Sequence, residues 1–75
     1  MEIRRVIAGR VFLSQRDAES YAKKAMGDIR WAVEESPGGH YLVIVKDYGD
    51  VDGTRKMCEN NGIKAFVWRM PQEDR

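Results

Sequence analysis

The two halves of this chain carry the same order of landmark residues, and this repetition constrains the fold more than any other feature. In the first half, Phe12 precedes a run with helical spacing that ends at Gly27, and β-prone residues follow. In the second half, Tyr48 precedes another such run that ends at Gly62, and β-prone residues follow again. The spacing from aromatic residue to glycine differs by one residue between the halves. Each half is therefore predicted to form strand, helix and strand.

Residues 3–13 form the first predicted strand, with apolar side chains at alternating positions. Gly9 lies in its middle and predicts a bulge or a close approach of another group, since a glycine inside a strand packs nothing. Ser14 is the predicted N-cap of the first helix, which ends near Gly27. A second strand is expected to begin at Trp31.

The second half begins after a turn, because proline and paired glycines in residues 36–40 separate two β-prone runs. The continuous apolar run at residues 41–45 predicts a central strand that is buried on both faces. Asp50 or Asp52 is expected to cap the second helix, which continues to about residue 61. Residues 64–70 form the last predicted strand.

The order β-α-β-β-α-β and right-handed crossovers leave few topologies open. The sequence predicts a single α+β domain over residues 1–75, a ferredoxin-like sandwich in which both helices cover one face of a four-stranded antiparallel sheet. The second face is also predicted to be apolar, and such a surface on a small protein marks an interaction site. Its candidate binding residues are Phe12, Trp31, Tyr41, Phe66 and Trp68. Strand register decides which face each of them occupies.

A family resemblance covers nearly the whole chain. Residues 41–50 read Tyr-Leu-Val-Ile-Val-Lys-Asp-Tyr-Gly-Asp, and residues 61–67 read Asn-Gly-Ile-Lys-Ala-Phe-Val. Residues 9–14, Gly-Arg-Val-Phe-Leu-Ser, show a similar pattern in the first half. This pattern resembles the SPOR domain, which has the same βαββαβ order. The resemblance implies binding of peptidoglycan glycan strands, stripped of their stem peptides, through the open face of the sheet.

Charge and composition narrow the classes of partner. Thirteen basic residues against twelve acidic ones give a net charge of +1, without the basic excess that non-specific nucleic-acid binding normally requires. No apolar stretch approaches the roughly 20 residues of a membrane span, and the N-terminal residues do not resemble a signal peptide. The one cysteine, Cys58, forms no internal disulfide, which fits a reducing compartment. A cytoplasmic protein is expected, unless the chain is a fragment of an exported one.

Two groups of residues raise the questions of calcium binding and of catalysis. Asp50, Asp52 and Glu59 match part of an EF-hand calcium loop, but the first ligand position is Tyr48. Helix capping explains the two aspartates better, so no metal site is predicted. His40 is the only histidine and lies in or beside a turn, and the sequence identifies neither a catalytic partner for it nor a neighbour that would lower the pKa of Cys58. No catalytic residue and no cofactor are predicted.

The expected function is a non-enzymatic protein-interaction module that pairs with its own copy, or regulates or inhibits another protein, through the apolar sheet face. Peptidoglycan binding of the SPOR type is one alternative. Single-stranded nucleic-acid binding is another, because RNA-recognition folds share this element order and stack bases on strand aromatics. The third strand lacks the basic-glycine-aromatic signature of those folds, which makes nucleic acid an unlikely partner.

Overall fold

The computed structural model describes residues 2–46 and 50–71, and in them six elements follow one another in the predicted order. The strands are β1 (Glu2–Phe12), β2 (Trp31–Glu35), β3 (Tyr41–Val45) and β4 (Ala65–Pro71). The helices are α1 (Gln15–Ala25) and α2 (Val51–Asn60). The observed boundaries agree with the predicted ones to within two residues.

The four strands form one antiparallel sheet in the order β2-β3-β1-β4. The central strands are therefore β1 and β3, the first strand of each half. All residues from Leu42 to Val45 are buried, as the uninterrupted apolar run on β3 predicts for a central strand. The α+β, ferredoxin-like βαββαβ fold predicted from the sequence is confirmed.

Both helices pack on one side of the sheet and form an apolar core with it. Small side chains face the sheet from each helix: Ala18 and Ala22 from α1, and Thr54 and Cys58 from α2, all buried. The buried sheet residues on this side are Val6, Ala8, Phe12, Val43 and Val45. Small helix residues allow the helices to approach closely, so the larger side chains of the strands fill the space between the layers.

Side-chain caps begin both helices. The hydroxyl of Ser14 accepts a hydrogen bond from the Asp17 N–H at 3.1 Å, and the carboxylate of Asp50 accepts one from the Gly53 N–H at 2.6 Å. Each cap satisfies one of the amide groups that the first helical turn leaves without a partner. The prediction of Ser14 as N-cap is confirmed, and of the two aspartates considered for α2 it is Asp50 that caps the helix.

An irregularity in β1 surrounds Gly9, as its position in the strand predicts. Ala8 pairs with Val43 and Phe12 with Tyr41, so β1 advances four residues while β3 advances two. Gly9 itself has a φ of 77°, a backbone conformation that favours glycine. Because the irregularity adds two residues, the alternation of side chains is kept, and Phe12 lies on the same side of the sheet as Val6 and Ala8.

Candidate interaction surface

The side of the sheet away from the helices, here called the open face, is defined by strand register. Ile7 of β1 lies opposite Ile44 of β3 and Phe66 of β4, and Ala32 of β2 lies opposite Ile44. Two further pairs, Arg5 with Trp68 and Glu34 with Leu42, lie on either side of this row. The open face therefore consists of Arg5, Ile7, Val11, Ala32, Glu34, Leu42, Ile44, Phe66 and Trp68.

An apolar cluster occupies the middle of the open face. Ile7, Leu42 and Ile44 are fully buried, while Val11, Phe66 and Trp68 pack against them and are half-buried. The rings of Phe66 and Trp68 meet edge to face, with centroids 6.1 Å apart and planes at 61°. This is a favourable geometry for aromatic pairs. The two rings therefore form one side of the surface, on the edge strand β4.

Of the five aromatic residues predicted to bind a partner, only Phe66 and Trp68 lie on the open face. Phe12, Trp31 and Tyr41 pack in the core on the helix side, so their candidate placement on the second face was wrong. Trp31 and Tyr41 alternate with open-face residues of β2 and β3, and register assigns them to the helices.

Phe12 has structural partners on the helix side. It is 4% exposed, its ring lies 5.3 Å from that of Tyr21, and the Arg10 guanidinium lies 5.0 Å from the Phe12 centroid. Both contacts are of kinds that stabilise aromatic side chains. Phe12 therefore serves the core and is not presented to a partner.

Charged residues border the apolar cluster at opposite ends. Arg5 is half-buried beside Trp68. Lys46 continues the ladder between β2 and β3, because its N–H donates to the Arg30 carbonyl at 3.0 Å, and alternation directs its side chain to the Ile44 side. Glu34 lies opposite Leu42 at the other end. The open face is thus basic at one end and acidic at the other.

Sequence reasoning missed the aliphatic members of the open face. Ile7, Leu42 and Ile44 form its buried layer, and the signal for them was the alternation within β1 and β3. Among the described residues, Leu13 is the one large apolar side chain that is largely exposed, at 81%, and it follows β1 outside the sheet. The prediction named only aromatic residues as candidates for this face, whereas strand register selects residues by position.

Burial on the helix side changes the pKa of Cys58 and of Tyr21. Burial, with the charge of Glu59 adding to it, raises the pKa of the Cys58 thiol above its ordinary value of 9.0. Burial and then Cys58 raise the pKa of the Tyr21 phenol. A thiol with a raised pKa stays protonated at neutral pH and is a poor nucleophile.

The described residues contain no group of three or more side chains suited to hold a metal ion. None of the helices in residues 2–46 and 50–71 has the length and apolar character to cross a membrane.

Comparison with protein-family models, with curated proteins and with solved structures found no match to this chain.

Proposed function

We propose that this protein is a non-enzymatic interaction module that associates with a second copy of itself through the open face. The observation that carries the proposal is the apolar cluster on the side that neither helix covers, in which the half-buried Val11, Phe66 and Trp68 pack against the buried Ile7, Leu42 and Ile44. Two sheet faces pack well against each other, about 10 Å apart and with strands nearly aligned. A two-fold pairing covers such a face with the same surface on the partner.

The distribution of charge supports a second copy as the occupant. Leu42, which is paired with Glu34, comes two residues before Ile44 on β3, and Lys46 comes two residues after Ile44, just beyond the end of β3. The two levels are about 13 Å apart along the strand. A two-fold axis that crosses the strands at Ile44 exchanges these levels. Glu34 of each copy then lies near Lys46 of the other, so the rim is electrostatically complementary to itself.

The first test is the mass of the protein in solution, by light scattering during size-exclusion chromatography over a range of concentrations. We expect a dimer that forms as concentration rises and is lost in Phe66→Asp, because a charge in the apolar cluster of the open face cannot be buried without cost. Ser20→Asp is the control, since it adds the same charge at an exposed position of α1. A monomer at every concentration, or an unchanged dimer in Phe66→Asp, contradicts the proposal.

A second test avoids any change in the apolar cluster. Glu34→Lys and Lys46→Glu each place like charges together across the two-fold pairing, so each should weaken the dimer. The double variant Glu34→Lys/Lys46→Glu should restore it, because the charges are exchanged and remain complementary. If the loss of dimer affinity in the double variant equals the sum of the losses in the two single variants, the proposed orientation is wrong.

Glycan binding of the SPOR type is the second candidate. One observation favours it: the half-buried ring of Trp68 lies beside Arg5, which combines a surface for stacking with a hydrogen-bond donor. The residues of β3 on this face are Leu42 and Ile44, which offer no polar group to a sugar. Sedimentation with amidase-treated sacculi tests this candidate. Enrichment in the pellet that is lost in Trp68→Ala supports it, and no enrichment excludes it.

A further inference from the structure

An exposed asparagine-glycine pair, Asn61 and Gly62, lies at the end of α2. Asn61 is the C-cap of the helix, and Gly62 follows it with a φ of 75°. Glycine has no β-carbon to obstruct the approach of its backbone nitrogen to a neighbouring group, and its backbone adopts conformations that other residues avoid. The nitrogen of Gly62 is therefore the kind of nucleophile that reaches the side-chain carbonyl carbon of a preceding asparagine.

In the folded protein, hydrogen bonds hold both of the groups that such a reaction would use. Nδ2 of Asn61 donates to the Met57 carbonyl at 2.8 Å. The N–H of Gly62 donates to the Glu59 carbonyl at 3.0 Å. The attacking nitrogen and the leaving amine are thus each bonded to a carbonyl of the last turn of α2, and the reaction requires this turn to open.

The residue after the pair is anchored in the core, which limits that opening. Ile63 is 6% exposed and belongs to the apolar core on the helix side. Its N–H donates to the Cys58 carbonyl at 2.9 Å. Local opening is easiest where few buried contacts are lost, so this turn opens less often than the unanchored end of a helix.

From this arrangement we infer that Asn61 is a site of spontaneous deamidation, at a rate set by opening of the last turn of α2. The nitrogen of Gly62 gives its proton to a base and attacks Cγ of Asn61. A bond forms between this nitrogen and Cγ, the bond from Cγ to Nδ2 breaks, and the amine leaves as ammonia. Water then opens the resulting succinimide at one of its two carbonyl carbons, which yields aspartate or isoaspartate. One water is consumed and one ammonia is released.

The product weakens the junction between α2 and β4. A carboxylate at position 61 has no hydrogen to donate to the Met57 carbonyl, and its negative charge lies at the helix end where the macrodipole disfavours anions. The last turn of α2, all of which the structure describes, contains no basic residue to compensate. Isoaspartate also lengthens the backbone just before the buried Ile63. The inference does not depend on the proposed self-association, because one chain provides every group and none lies on the open face.

The first test is prolonged incubation of the folded protein at mildly alkaline pH, followed by peptide mapping with mass spectrometry. Asn60 is the matched control, because it is also exposed but is followed by a residue with a side chain. Conversion of amide to acid should be about tenfold faster at Asn61 than at Asn60, since glycine leaves the attack unobstructed. In urea that unfolds the protein, conversion at Asn61 should be about tenfold faster again, because opening no longer limits it.

The second test examines the consequence without the reaction. Asn61→Asp reproduces one product, and Asn60→Asp adds the same charge one residue earlier while the hydrogen bond to Met57 remains. Asn61→Asp should melt about 2–6 °C below Asn60→Asp, as the loss of one hydrogen bond implies for a domain of this size. The inference is overturned by equal conversion at the two asparagines, by no conversion at Asn61, or by equal rates at Asn61 in the folded and unfolded protein. Equal melting temperatures of the two variants overturn the proposed consequence.

Discussion

The ring of Tyr21 lies directly against the backbone of Gly9. A β-carbon at position 9 would stand 2.5 Å from Cζ of Tyr21 and 2.8 Å from its hydroxyl oxygen. Gly9 also has a φ of 77°, a conformation that only glycine adopts without strain. The contact joins the irregularity in β1 to the position of α1 on the sheet.

Gly9→Ala should therefore lower the free energy of unfolding by about 2–4 kcal/mol, because backbone strain and the clash with Tyr21 act together. Gly39→Ala is the control, since Gly39 has a φ of 83° and nothing within 4 Å of an added β-carbon. It should cost only the backbone strain, about 1 kcal/mol. Chemical denaturation measures both. Equal losses in the two variants would show that the contact with Tyr21 does not matter.

Ser14→Ala should destabilise the protein by about 1 kcal/mol, because the Asp17 N–H loses its acceptor in the first turn of α1. Ser20→Ala provides the comparison within the same helix. Ser20 is exposed inside α1, where alanine has the higher helix propensity, so that change should be neutral or slightly stabilising. Thermal unfolding followed by circular dichroism gives both values. Similar melting temperatures for the two variants would contradict the role of Ser14.

Stability should fall as the pH rises above about 9. The pKa values of Cys58 and Tyr21 are raised in the folded protein, from ordinary values of 9.0 and 10.0. The unfolded chain then loses these protons at a lower pH than the folded one, so their contribution is complete below the unfolded pKa and declines as the pH rises towards the folded pKa. Urea unfolding between about pH 7 and pH 10.5 measures the slope.

Cys58→Ala isolates the contribution of the thiol to this slope. The variant is expected to be less stable at neutral pH because it shortens a buried side chain, but its stability should depend less on pH above about 9. Tyr21→Phe should reduce the slope at higher pH in the same way. An unchanged slope in both variants would mean that other groups control the alkaline loss.

The fluorescence emission of the two tryptophans should respond differently to self-association. Trp68 lies on the open face, and Trp31 packs against the core on the helix side. In Trp31→Phe, the emission of Trp68 should shift to shorter wavelength as the protein concentration rises, because pairing removes its ring from water. In Trp68→Phe, the emission of Trp31 should not change with concentration. A shift in the emission of Trp31 alone would contradict this and would indicate that association covers the helix side.

Much of the fold follows from local sequence. Ser14 and Asp50 begin the helices because their side chains accept hydrogen bonds from amides three residues later. Glycine at positions 27 and 62 follows the helices with φ values of 58° and 75°. These are interactions between near neighbours in the chain, so the order and bounds of the elements were accessible from sequence patterns.

The composition of the open face was decided by pairing between distant strands. Phe66 and Trp68 alternate with the residues of β4 that face the helices, and their assignment to the open face required the pairing of β4 with β1. Phe12, Trp31 and Tyr41 have the same aromatic character but lie on the other side. Side-chain type gives no information about which of two apolar faces a strand position occupies.

A cleft where β1 passes the end of β3 and the first turn of α2 shows the same division between local and tertiary information. The sequence alone determined that Arg4 and Arg5 lie on the first strand and that Lys46 follows the third, 41 residues after Arg5. Only the tertiary structure brought them to one cavity beside α2. Local hydrogen bonding and periodicity act over a few residues, whereas strand register and the crossing of α2 over the sheet depend on the packing of the whole core.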